Sequence, residues 1–164
     1  YLAETWHQER KKMLARLSNA YRKAPYYKLV LPVLEESILY EVNGLFEFIH
    51  HSLIRTLDYL KIDTRVVISS SINIDNSLLS ARKVIALCKA RFAKEYINPI
   101  GGQELYDKAE FKEVGLDLFF LKSDELIYPQ LGTHAFVPWL SIIDVMMFNS
   151  QEQIADYLNM YKLV

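Results

Sequence analysis

Three short apolar runs constrain this chain more than any other feature: Val66-Val67-Ile68, Tyr96-Ile97 and residues 116–121. Between them lie stretches whose apolar residues recur at helical spacing, with Ala81, Ile85, Cys88 and Phe92 in the first. Strands that alternate with helices pair in parallel, because each connection must cross the sheet, and such crossovers are right-handed. The β-branched run ends in Ser69-Ser70-Ser71, the second in Asn98, Pro99, Gly101 and Gly102, and a short helix over residues 103–112 leads through Gly115 into the third. The sequence thus predicts three parallel strands at 66–68, 96–97 and 116–121.

The part before residue 65 reads as helical. Leu2, Trp6, Met13, Leu14, Leu17 and Tyr21 predict a helix over 2–22, ended by Ala24-Pro25 because the residue before proline is pushed out of the helical region. A second helix over 27–39 gathers Val30, Val33, Leu34 and Ile38, and tolerates Pro32 only if that residue falls in its first turn. Asn43 is the expected cap of a third helix through to Leu60, whose stripe of Leu45, Phe46, Ile49, Leu53, Leu57 and Leu60 is expected to be buried core. Near the end, residues 139–148 read as a buried helix. Ser150 with Gln153 matches a capping box that starts a final helix carrying Ile154, Tyr157, Leu158 and Tyr161. The fold class is therefore α/β: a short parallel sheet with alternating helices plus a helical N-terminal part, in one domain over 1–164.

Composition excludes several functions. The chain has 164 residues, 51% hydrophobic and 24% charged, enough to bury a core without disulfides or structural metals. A net charge of −1 argues against a general nucleic-acid binder, which needs a concentrated positive field. No apolar run approaches the roughly 20 residues that span a bilayer, and the single cysteine, Cys88, fits a reducing cytoplasm. His50 and His51 point different ways on their helix, and His7 and His134 lack neighbouring ligands, so no metal spacing is present. Phosphate-loop, dinucleotide and serine-hydrolase motifs are absent, and the cofactor is left unknown. The first residue is Tyr1 and no signal segment follows, so the chain reads as the later part of a longer product.

In parallel sheets ligands bind beyond the carboxyl ends of the strands, which selects Ser69, Ser70 and Ser71, residues 98–102 and residues 122–128. Gly101 and Gly102 before a helix could present backbone N–H groups to an anion, assisted by Ser69 and Ser70; the alternative is that the turn needs glycine for its geometry alone. Arg82 and Lys83 lie early in the helix after the serine turn, either reaching a bound anion or simply facing water. Asp144 sits in an otherwise apolar helix, where a carboxylate must be hydrogen-bonded, paired or shifted in pKa. It is a candidate for chemistry or a structural acceptor. The cluster of Arg10, Lys11, Lys12, Arg16, Arg22, Lys23 and Lys28 is interrupted by Glu4 and Glu9 and reads as a solvated face, with a polyanion surface as the alternative. Cys88 lies on the apolar stripe of its helix, which disfavours a thiol nucleophile.

Taken in order, Tyr21-Arg22-Lys23-Ala24-Pro25-Tyr26, Arg82 with Ala86-Leu87-Cys88-Lys89, the stretch from Tyr96 to Gly102, Tyr128-Pro129-Gln130 and Ser141-Ile142-Ile143-Asp144 resemble the WbqC-like protein family over most of the chain. The resemblance implies a bacterial cytoplasmic protein linked to surface-polysaccharide or O-antigen assembly, for which a glycine or aminoacyl transferase role has been suggested. Family members usually begin with a Gln-Pro-x-x-x-Pro-x-x-Gly segment and carry a Trp-x-x-Arg-Asn stretch; neither occurs here, so the chain is expected to be the C-terminal larger part of such a protein. By resemblance the positions of interest are Tyr21, Arg22, Arg82, Tyr96, Gly101, Tyr128, Gln130, Ser141 and Asp144.

Two functions follow as expectations. The first is a transferase acting on a sugar or saccharide intermediate, with Asp144, Tyr128 and Arg82 catalytic and Ser69, Ser70, Tyr96, Gly101, Gly102, Gln130, Ser141, Tyr21 and Arg22 binding substrate. The second is a non-catalytic binding or scaffold protein of a polysaccharide-assembly complex, using the loop from Tyr128 to Trp139 as its contact surface. A cleft lined by Asp144, Arg82 and Tyr128 would favour the enzyme, and an exposed apolar patch around Phe136 and Trp139 the binder. The expected partner is a small-molecule or sugar-linked substrate; the oligomeric state is left open.

Overall fold

The computed structural model describes residues 1–132 and 135–164. His134, treated above as an isolated histidine, lies outside the described residues. The chain forms two compact units, each assembled from separated segments: unit 1 is Tyr1–Thr64 with Glu125–Asn159, and unit 2 is Arg65–Asp124 with Met160–Val164.

Unit 1 is helical. Helix α1 (Trp6–Tyr21) and α2 (Tyr27–Ile38) meet α3 (Leu45–Tyr59), and later in the chain α6 (Ile142–Phe148) and α7 (Gln151–Tyr157) return to the same core. Val30, Val33, Leu34 and Ile38 of α2 pack with Val145, Met146 and Met147 of α6 and Ile154 of α7. The backbone N–H of Tyr26 donates to Met147 O at 3.1 Å, fixing the start of α2 on α6. Pro32 lies inside α2, beyond its first turn, contrary to the expected placement. The helix continues through the lost hydrogen bond because the residues on both sides of the proline, Val30 and Val33, are anchored in the core. The capping box forms as read, with Ser150 and Gln153 satisfying each other's backbone N–H.

The third helix corrects the sequence reading. Gly44 rather than Asn43 takes its N-cap position, and no residue of α3 is buried. Two polar contacts tie it to α2, His51 3.2 Å from Glu36 O and Arg55 at 2.5 Å from the Glu36 carboxylate, while Tyr59 at its end packs against the unit 1 core. Leu45, Phe46, Ile49 and Leu53 face outward, and of the expected stripe only Leu60, just past the helix, joins the core. Periodicity identifies an apolar face without stating what covers it.

Unit 2 contains the sheet. Strand β1 (Glu95–Pro99) pairs in parallel with β2 (Asp117–Ser123), Tyr96 opposite Leu118 and Ile97 opposite Phe119. Helices α4 (Ser80–Ala90) and α5 (Lys108–Glu113) bring Ala81, Ile85, Cys88 and Phe111 to a second core with Leu116, Leu118 and Phe120. The mixed α/β class holds, with two of the three expected parallel strands. Residues 66–68 pair with no strand and precede a single 3-10 turn, Ser69–Ser71. The third strand is instead β3 (Tyr161–Leu163), antiparallel to β2. It holds Tyr161, which the helical spacing had assigned to the last helix. Phe92, expected on the buried stripe of α4, is 92% exposed. Helix α6 begins at Ile142, three residues after the expected Trp139.

Three helices end in the same motif. After α3, α4 and α5, a residue with positive φ (Lys61, Phe92 and Gly115) is followed by one whose N–H reaches back to the third carbonyl from the helix end: Ile62 to Leu57, Ala93 to Cys88 and Leu116 to Phe111. Trp139 also has positive φ, at 58°, but follows no helix.

Candidate functional site

Ser141 caps α6, its Oγ accepting from Ile143 N at 3.3 Å. Asp144 follows in the first turn and turns inward, leaving it 4% exposed. Three neutral donors fill its carboxylate. Tyr21, the last residue of α1, donates its hydroxyl to Oδ1 at 2.9 Å. Tyr128 donates to Oδ2 at 2.7 Å and the Gln130 amide donates to the same oxygen at 3.0 Å. Among the described residues no basic side chain pairs with Asp144. Stabilisation of a buried anion here comes from convergent hydrogen bonds rather than an ion pair.

The Gln130 amide is used on both sides. Its nitrogen also donates to Val137 O and its oxygen accepts from Val137 N, each at 3.0 Å. Gln130 thus clamps Asp144 to the backbone of Val137, seven residues further on. Aromatic rings enclose the network: Phe136 packs edge-on to Tyr128 at 5.3 Å, and Phe148 lies 6.5 Å from Tyr128 and 6.1 Å from Tyr21. Burial, reinforced by hydrogen bonds to the Asp144 carboxylate, pushes the hydroxyls of Tyr21 and Tyr128 up to about 12. Both phenols stay protonated as donors.

Beyond the clamp the surface is apolar. Val137, Trp139, Leu140 and Ile142 are exposed, Trp139 at 71%, while Phe136 is turned onto the unit 1 core. Arg22 is exposed at the end of α1.

The remaining sequence-selected residues belong to unit 2. Ser69 and Ser70 are exposed in their 3-10 turn, and Arg82 is exposed on α4. Residues 66–68 form no strand, so the sheet does not carry the serine turn to the ends of β1 and β2 as expected. Tyr96 is half-buried in β1, stacked on Phe111 at 5.8 Å, and burial raises its hydroxyl pKa. Gly101 and Gly102 follow β1. A Cβ at Gly102 would meet Asn98 Nδ2 at 2.6 Å, whereas one at Gly101 would meet nothing within 4 Å. Neither residue has a positive φ. A cavity of about 360 Å³ in this unit is lined by Lys108, Lys112, Asp117 and apolar residues of β2, none of them selected by the sequence. Among the described residues no cluster of three or more metal-ligating side chains occurs.

The structure corrects the sequence reading of Arg10 as part of a solvated basic face. Arg10 is 6% exposed and donates to the carbonyls of Leu39 and Tyr40, each at 3.1 Å, closing the end of α2. It lies four residues after Trp6 and seven before Leu17, in phase with the apolar stripe, and that phase was the available signal.

The WbqC-like family model matches residues 2–156, nearly the whole chain and all seven α-helices except the last residue of α7. The chain belongs to the WbqC-like protein family. The family name links it loosely to polysaccharide-related genes and carries no confirmed reaction. The match takes in the Tyr21, Tyr128, Gln130 and Asp144 network of this WbqC-like chain and stops before β3. No match was found among curated proteins or solved structures. No helix among the described residues is long and apolar enough to cross a membrane.

Proposed function

We propose that this WbqC-like chain acts in bacterial surface-polysaccharide assembly as a binding protein whose contact surface is formed by the exposed Val137, Trp139, Leu140 and Ile142. The supporting observation is the clamp itself. Asp144 has its oxygens occupied by Tyr21, Tyr128 and Gln130, and Gln130 in turn holds Val137 beside an exposed Trp139. A carboxylate so enclosed serves to position Tyr128 and Gln130, and apolar side chains left outside the clamp are the kind of surface a partner or a sugar ring covers. Trp139 supports the same reading. A bulky residue at positive φ is strained, and an exposed one recovers little of that cost by packing.

The fluorescence of Trp139 provides the test, since the indole nitrogen of Trp6, the other tryptophan, is shielded from solvent. Titration with nucleotide sugars and with oligosaccharides is expected to shift the emission, and Trp139→Phe should abolish the shift. Turnover of a sugar or aminoacyl donor that Asp144→Asn abolishes and Trp139→Ala leaves intact would overturn the reading.

A transferase is the second reading, favoured by Gly101. Neither its backbone angles nor its surroundings require glycine, so the open backbone is available for an anionic group. Gly101→Ala should then leave the fold intact while weakening binding of a phosphate-bearing donor.

A further inference from the structure

Helix α1 sorts its charges by face. Arg10 points inward to close α2, while Lys11, Lys12 and Arg16 are exposed on the outer side, continued by Arg22, Lys23 and Lys28 at the turn into α2. Lys12 pairs with Glu9. Glu4 and Glu9 are exposed beside these cations, and the Glu9 carboxyl is held below its usual range by Lys12 and, more weakly, by Arg16; Lys11, Arg22, Lys23 and Lys28 have no ion-pair partner among the described residues. The charge is segregated along the chain as well: between Lys122 and Lys162 there is no Lys or Arg, so a net charge of −1 conceals a local positive face. Leu29, 63% exposed, stands next to Lys28.

We infer that this outer face of α1 docks on an anionic lipid surface. The exposed cations run from Lys11 on α1 past its end at Arg22 and Lys23 to Lys28 in the first turn of α2, and charges distributed over two elements suit an extended charged plane better than one phosphate. An exposed leucine next to a long basic side chain, Leu29 beside Lys28, matches the interfacial zone of a bilayer, where apolar tips enter and ammonium groups stay at the headgroups. A nucleic acid fits less well. Single strands call for exposed aromatic rings between the cations, and here Tyr21 is turned to Asp144 while Tyr26 and Tyr27 pack on the core. The inference is independent of the Gln130 clamp, since it uses none of its residues.

The test is sedimentation of the whole chain with phosphatidylcholine vesicles and with mixed phosphatidylcholine–phosphatidylglycerol vesicles. Binding is expected to the mixed vesicles only and to disappear at high salt, where screening removes the attraction. The triple variant Lys11→Gln, Arg16→Gln, Lys23→Gln should reduce partitioning roughly a hundredfold, since each cation near an anionic leaflet contributes about a factor of five. Circular dichroism of the variant checks that the fold is kept, and the salt titration of the unaltered chain stands without any variant. Equal binding to both vesicle types, no binding to either, an unaffected triple variant, or binding to duplex DNA with none to the vesicles would each overturn the inference.

Discussion

Tyr128 and Asp144 share a buried hydrogen bond of 2.7 Å between the phenol and the carboxylate, sixteen residues apart in sequence. That bond ties the irregular segment before α6 to the helix itself. Because the same oxygen also accepts from Gln130, the placement of both Tyr128 and Gln130 depends on one side chain.

Removing that side chain is expected to be costly. Asp144→Ala leaves three donors facing an apolar core and should lower the unfolding free energy by about 3 kcal/mol, while Tyr21→Phe and Tyr128→Phe should each cost about 1 to 2 kcal/mol. Urea denaturation measures all three. The double phenylalanine variant should depart from additivity, because both phenols share Asp144. An Asp144→Ala variant as stable as the parent would contradict the structural role of the carboxylate.

Alkaline pH should weaken the same network. Tyr21 and Tyr128 titrate near 10 when unfolded and are raised to about 12 in the folded chain, chiefly by burial and then by hydrogen bonding to Asp144. A raised folded-state value means that the stabilisation is complete below pH 10 and is lost as the pH climbs through 12, because the unfolded chain releases these protons first. Denaturation midpoints followed by tyrosinate absorbance should fall across that window, and less steeply in the two phenylalanine variants.

Phe92 occupies a left-handed position after α4 that glycine adopts without steric cost. With its ring 92% exposed there is little packing to lose, so Phe92→Gly should stabilise the protein by about 1 kcal/mol. A thermal midpoint that stays put or falls would count against this account. The opposite change, Gly115→Ala after α5, should be destabilising, since its φ is 76°.

Cys88 is buried against β-strand residues of unit 2, and burial raises its thiol pKa. It should resist alkylation at neutral pH under native conditions and react fully once denatured. Quantitative labelling of the native protein would show that the second core opens readily.

Much of the framework was legible because it rests on local signals. The apolar stripe of α2, the Ser150 and Gln153 box, strand β2 and the buried character of Asp144 each follow from residues close together in sequence. What stayed hidden depends on distant partners. Val66-Val67-Ile68 has strand composition, but a run that short becomes a strand only when another edge pairs with it, and none does. Tyr161 continues the helical phase of Ile154, Tyr157 and Leu158, yet joins β2 because that edge offers pairing to the residues around it. The Asp144 partners illustrate the same limit: spacing shows that the carboxylate is inside, but Tyr21 is supplied by a helix 123 residues away.

Strand β3 follows its partner β2 by some forty residues, with α6 and α7 in between. During synthesis the free side of β2 must therefore wait for α6 and α7 to emerge before it is covered. A nascent chain paused in that interval carries an open sheet edge of the type that pairs with other molecules, which makes the segment that forms β3 decisive for whether newly made protein stays dispersed.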